Sequence, residues 1–238
     1  AAPAREVIPE IHHDHRDVTG GWLRPAVFGA MDGLVSNFAL VAGVSGGGAA
    51  TRVVVLTGFA GLVAGAFSMG TGEYTSVASQ AEAAQAEIAV ERAEILHAPE
   101  AEEAELAGVY RARGLEPALA REVARQLSTD PETAVRVHAR EELGIDPDDL
   151  PSPYVAAGSS FVAFSLGAFV PVLPYLFGAR SLVWPLILSM LGLFLSGALV
   201  SRFTGRSAIY SGMRQLVLGG IAAAITFVVG SLIGTGIS

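Results

Sequence analysis

The sequence predicts an all-α membrane protein with five membrane-crossing helices and an acidic helical insert between the second and the third. Two observations lead there. With a mean hydropathy of +0.49, 51% hydrophobic and 16% charged residues, a chain of 238 residues is too apolar for a soluble domain of that length. Charge is also segregated: 17 of the 23 Asp and Glu lie between Glu82 and Asp149, so two regimes share one polypeptide.

Residues 1–20 form a polar arm carrying the run His12, His13, Asp14, His15, and their polar, acidic character argues against a signal peptide. Residues 25–44 follow with one formal charge, Asp32, and such a run suffices to cross a hydrocarbon core of about 30 Å. Gly46, Gly47 and Gly48 make a flexible break. Residues 53–72 are an uncharged second span that runs on through Glu73 toward Gln80. Uncharged stretches at 154–177, 181–201 and 216–237 supply three more, with linkers carrying Arg180, Arg202 and Arg206. The expected division is therefore 21–80 for helices 1 and 2, 81–150 for the acidic domain and 151–238 for helices 3 to 5.

Orientation follows from the positive-inside rule. Arg5, Arg16 and Arg24 precede the first span and Arg202, Arg206 and Arg214 cluster between the fourth and fifth, whereas the opposite side holds only Arg52 and Arg180. The N-terminus and residues 81–150 are thus expected in the cytoplasm. All 15 basic residues are Arg and none is Lys, a bias that suggests a GC-rich prokaryotic genome and hence a bacterial inner membrane.

The insert reads as helices punctuated by Pro and Gly. The first covers 81–96 and is rich in Ala and Glu. Pro99 opens a second, with Glu100, Glu102 and Glu103 in the first turn where the helix dipole favours anions, and Gly114 ends it. A third covers 117–127, and Pro131 starts a further short helix that stops at Gly144 before an acidic turn, so three long helices or four short ones fit. A unit this small buries little core and is expected to lean on a partner subunit.

There is no cysteine, so a metal must be held by carboxylate, imidazole, thioether or carbonyl. The formal net charge of −8 argues against nucleic acid as a partner. No Ser/His/Asp arrangement or phosphate-binding glycine loop is present in the sequence. An enzyme or ATP-driven pump is not expected.

Asp32 sits mid-span, where a carboxylate is costly unless it faces a cavity, a partner or a cation; the competing reading is a packing Asp satisfied by hydroxyls. Met69 and Glu73, four apart on one face of the second span, offer a thioether beside a carboxylate. Gly61 and Gly65 permit close helix approach, and Pro171 and Pro174 interrupt the third span, as a kink or as a cavity lining. In the insert, Glu87, Glu91 and Glu94 share a helical face whose like charges repel. Either that face is simply solvated, or Glu102, Glu105 and Glu142 close an oxygen-rich cation site against it, with His138 adding an imidazole or capping a surface. The N-terminal histidines either bind metal loosely or are unstructured.

Three stretches, Gly29-Ala-Met-Asp-Gly-Leu-Val-Ser-Asn-Phe-Ala-Leu-Val-Ala-Gly43, Gly65-Ala-Phe-Ser-Met-Gly-Thr-Gly-Glu-Tyr74 and Pro171-Val-Leu-Pro-Tyr175, carry a further signal. Together they resemble the vacuolar iron transporter family of plants, fungi and bacteria, and the resemblance extends over nearly the whole sequence. It implies a homodimer of five-helix subunits that exchanges cytoplasmic Fe²⁺ for protons along a path between subunits, with a cytoplasmic three-helix metal-binding insert. Under it, Asp32 and Met69 fall on pathway positions and Glu91, Glu94, Glu102, Glu105 and Glu142 on cytoplasmic metal-binding glutamates. Two positions depart from plant members. Gly61 stands where they carry a further pathway acid, which makes Glu73 a candidate replacement. His138 and Ala139 stand where they place methionines, which keeps Mn²⁺, Zn²⁺ and Co²⁺ as substrates beside Fe²⁺.

The expected function is therefore a secondary transporter that exports Fe²⁺, or another divalent transition metal, in exchange for protons and without a resident cofactor. A membrane-bound metal-sensing or metal-storing module is the alternative. A carboxylate-bridged iron oxidase is disfavoured, because such bundles use paired Glu-x-x-His motifs and only Glu94 to His97 matches.

Overall fold

A computed structural model describes residues 21–236. The polar arm, its His12, His13 and His15 run, and Arg5 and Arg16 lie outside the described residues. Among the described residues every regular element is helical: α1 (Leu23–Gly46), α2 (Thr51–His97), α3 (Pro99–Ala112), α4 (Pro117–Leu127), α5 (Pro131–His138) with a π turn at Ala139–Leu143, α6 (Pro153–Phe169), α7 (Leu173–Leu176), α8 (Val183–Thr204) and α9 (Ala208–Gly236). Helices satisfy their own backbone groups, which a lipid solvent requires. Four of them, α1, α2, α8 and α9, are long and apolar enough to cross a membrane. The chain is a multi-pass membrane protein.

Two elements differ from expectation. The stretch 154–177, read as a single span that Pro171 and Pro174 interrupt, is divided just before the first of them: α6 has 17 residues, about 26 Å at the helical rise, and stops at Phe169. Pro171 and Pro174 lack the N–H that would continue its ladder, and α7 resumes only as a single turn. The second difference is that α2 passes residue 80 without a break. Its 47 residues form a rod of about 70 Å, whose last part is the first helix expected in the insert. Between Gly72 and Pro99 there is no Gly or Pro, and the run of Ala, Glu and Gln is strongly helix-forming, so nothing separates span from insert.

Other punctuation acts as expected. Pro99, Pro117 and Pro131 each open a helix, and Gly114 and Gly144 follow helix ends at φ 99° and 67°. The insert is held by two small apolar clusters. Ile95 of α2 packs on Ala134 and Val135 of α5, and Leu106 and Ala107 of α3 pack on Ala124 of α4.

Within the bundle α1 is central and touches α2, α6, α8 and α9. It meets α6 backbone to backbone. A Cβ at Gly29 would lie 2.6 Å from the Ser160 carbonyl oxygen, one at Gly33 would overlap the Phe164 carbonyl, and one at Gly167 would overlap that of Ala30. Gly43 and Gly230 make the same approach between α1 and α9, where the Thr226 hydroxyl donates to the Ala39 carbonyl at 2.7 Å. Gly33→Ala is therefore expected to lower the thermal unfolding midpoint of the detergent-solubilised protein by several degrees. Gly108→Ala, on α3 with open space around it, is expected to raise stability by about 1 kcal/mol. Unfolding followed by circular dichroism checks both, and equal effects would refute the close contact.

Candidate metal sites

Two groups of chemistry-bearing side chains come together, one inside the bundle and one in the insert. Inside, α1 and α2 flank an open cavity of about 270 Å³ lined by Asp32, Ser36, Asn37 and Leu40 on α1 and by Gly61, Gly65, Ser68 and Met69 on α2, with Phe164 of α6 behind. The glycines make the room. A Cβ at Gly65 would overlap the Phe164 ring, and one at Gly61 would meet the Asn37 and Leu40 side chains. Asp32 and Met69, the two positions that the family resemblance assigned to a pathway, share one cavity. Glu73 is not among its lining residues and lies one further turn along α2 from Met69.

Sequence reasoning passed over Asn37. It is the only asparagine in the chain, 2% exposed in the middle of an apolar span, and its Nδ2 donates to the Ala168 carbonyl at 2.5 Å. A lone amide in such a run was the available signal, and it is easily mistaken for packing.

In the insert, Glu91 of α2, His138 of α5 and Glu142 in the π turn each bring one ligand atom, all within 4.8 Å of one another. His138 Nδ1 is 2.9 Å from Glu91 Oε1 and 2.9 Å from Glu142 Oε1, with Glu102 Oε2 at 3.9 Å. The His138 side chain is fully buried and that of Glu91 nearly so. A single proton on Nδ1 can satisfy only one of the two close oxygens, and Nε2 has no partner at all, so buried lone pairs are left over. Oxygen and imidazole donors converging in this way form a donor set for a divalent ion of hard or borderline character.

The surrounding elements fix this geometry. Asp130 caps α5, its Oδ2 accepting from the Thr133 N–H at 2.9 Å. Arg92 of α2 pairs with Glu132, and Arg113, just past the end of α3, pairs with Glu141, which pins the π turn so that Glu142 faces His138. A π turn widens the helix and shifts side-chain register, an arrangement found frequently at functional sites. Glu94 and Glu105 are exposed and reach the cluster only through their charge. Glu87 is exposed one turn before Glu91 and joins neither group. His97 turns back on its own helix, Nδ1 lying 2.7 Å from the Ala93 carbonyl oxygen.

Burial raises the pKa of Glu91, Glu102 and Glu142. The charge of His138 opposes the rise, and the neighbouring glutamates add to it. A raised acid favours its neutral form in the fold, so these three groups contribute stability to the metal-free cluster at low pH that is lost as pH rises above the ordinary range near 4.5 through the raised values. A bound cation removes that penalty. Added Mn²⁺ is therefore expected to raise the unfolding midpoint more at pH 7 than at pH 5. Glu91→Gln is expected to raise the metal-free midpoint at pH 7 by a few degrees and to abolish most of the metal response. Differential scanning fluorimetry at both pH values checks this.

Long apolar helices around an acid-bearing cavity, continuous with a carboxylate and imidazole cluster outside the bundle, define a polytopic membrane protein with metal donor sets. The chain belongs to the VIT family, whose model matches residues 23–231. It is 31% identical over 228 residues to vacuolar iron transporter 1 of Arabidopsis thaliana, covering 94% of this chain and 91% of that protein. It is 39% identical over 222 residues to the vacuolar iron transporter of Acanthamoeba castellanii, covering 90% and 79%.

Proposed function

We propose that the protein is a secondary transporter that moves Fe²⁺, and with it Mn²⁺ or other divalent transition metals, out of the cytoplasm in exchange for protons. The observation that carries this reading is the shared cavity of Asp32 and Met69 on the same hairpin whose second helix bears Glu91. Carboxylate and thioether together offer a partly dehydrated, soft-tolerant divalent ion a place inside the apolar zone. The names of the relatives agree with iron as the cargo.

The cluster of Glu91, His138 and Glu142, with Glu102, Glu94 and Glu105 around it, collects the ion in the cytoplasm. Met69 and Glu91 are about 33 Å apart along α2, so collection and translocation are separate stations on one rod. A carboxylate that is alternately metal-bound and protonated couples the two ions. In the topology proposed here α6 and α7 together make the third of five spans, and the cavity meets a second copy of the chain. Ser36 and Ser68 are exposed on the outer face of the subunit, and a lipid-facing opening beside Asp32 is costly; a homodimer closes it.

The test is uptake of Fe²⁺ and Mn²⁺ into proteoliposomes with an internal pH dye and an imposed proton gradient. Metal movement that tracks the gradient, with protons moving the opposite way, is the expected result. Asp32→Asn is expected to reduce uptake to background while the solubilised protein keeps its size and thermal midpoint. Metal binding without uptake in tight, correctly oriented vesicles would overturn the proposal in favour of a sensor or store.

A further inference from the structure

Asn37 is buried, yet its side-chain oxygen has no hydrogen-bond partner. Its orientation is not arbitrary. The Ala168 carbonyl can only accept, so the nitrogen must face it, and Oδ1 is left on the opposite side of the amide plane. That side is the cavity wall: a Cβ at Gly61 would lie 2.8 Å from Oδ1, and both residues line the cavity of Asp32 and Met69. Orphaned buried acceptors are uncommon because each forfeits its hydration. One aimed into an acid-bearing cavity from a fixed amide is arranged for a ligand.

We propose that Asn37 Oδ1 is an oxygen ligand for the cation in transit, a station about 7.5 Å beyond Asp32 along α1 toward the α1–α2 turn. The inference rests on the transport reading above and names a specificity-determining residue for it. Gly61 is what admits the amide, since a side chain there would fill the space that Oδ1 faces. The chemistry is that of a neutral ligand. An amide oxygen coordinates a hard or borderline divalent ion without adding charge, and no proton displaces the ion from it at physiological pH. Asp32 thus remains the single formal charge in the cavity, and the amide accepts the ion without trapping it, which a conducting site requires.

Two variants separate a ligand from a packing residue, because both lose the bond to Ala168 and only one loses the oxygen. In proteoliposome uptake of Mn²⁺, Asn37→Leu is expected to raise KM at least tenfold. Asn37→Asp keeps an oxygen and adds a charge, so its KM is expected to stay equal or fall, while kcat drops at least tenfold through slow release. Thermal midpoints of both variants, measured alongside, should fall together. Equal KM values in the two variants, or wild-type KM in Asn37→Leu, would overturn the assignment of Asn37 while leaving transport intact. Absence of uptake by the wild-type protein would instead overturn the transport reading on which it depends.

Discussion

Everything in the bundle depends on the backbone contact between α1 and α6. Lipid offers helices little hydrophobic reason to associate, so association rests on close packing of small residues. Gly29 and Gly33 on one side and Gly167 on the other let the two backbones meet directly. Phe164 and Ala168, carried by the same helix, then stand at fixed depth behind α1. Ala168 orients Asn37, and Phe164 closes the cavity across from Gly65. The polar residues of α1 owe their positions to a contact made chiefly of glycine and backbone.

The glycines of α2 have a different task. Gly61 and Gly65 read in the sequence as a packing step, and α2 does approach α1 there. They leave a cavity, however, since the space a side chain would take is filled only from the α1 and α6 sides by Asn37, Leu40 and Phe164. The same helix continues without interruption into the insert, so any tilt of α2 moves the cavity wall and Glu91 as one body. Stiffness comes from composition: Ala, Glu and Gln replace Gly after residue 72.

Much of this was legible in the sequence because it depends on local punctuation. Proline and glycine mark the helix ends of the insert, and apolar runs mark the long spans. Asp32 stood out as the one charge of an apolar segment, whereas its pairing with Met69 came from the family resemblance. Charge spacing marked Glu91 together with Glu87 and Glu94, and the family resemblance assigned Glu142 to the metal-binding glutamates. What could not be read depended on tertiary register. Glu73 and Glu87 look as suitable as their neighbours in one dimension, yet each lies one helical turn along α2 from the residue that joins a group, Glu73 from Met69 and Glu87 from Glu91. His138 was open between ligand and surface cap until α5 packed it beneath Glu91, and Asn37 acquired its meaning from a carbonyl 131 positions away. The division of the third apolar stretch was half legible, since its prolines were visible but not whether the helix would continue past them.

The two donor sets differ in a way that fits the separate tasks proposed for them. In the insert several carboxylates and one imidazole converge, and the repulsion among the carboxylates is a cost to the empty fold that a bound dication would relieve. Such a site captures well and releases slowly unless protons or neighbouring acids compete for it. The cavity between α1 and α2 has one carboxylate, one thioether and one amide oxygen spread along the helices. Charge there is minimal, which limits the cost of holding it in lipid. Strong collection outside the apolar zone and weak, divided coordination inside it is the order in which an ion is drawn from water and still able to leave.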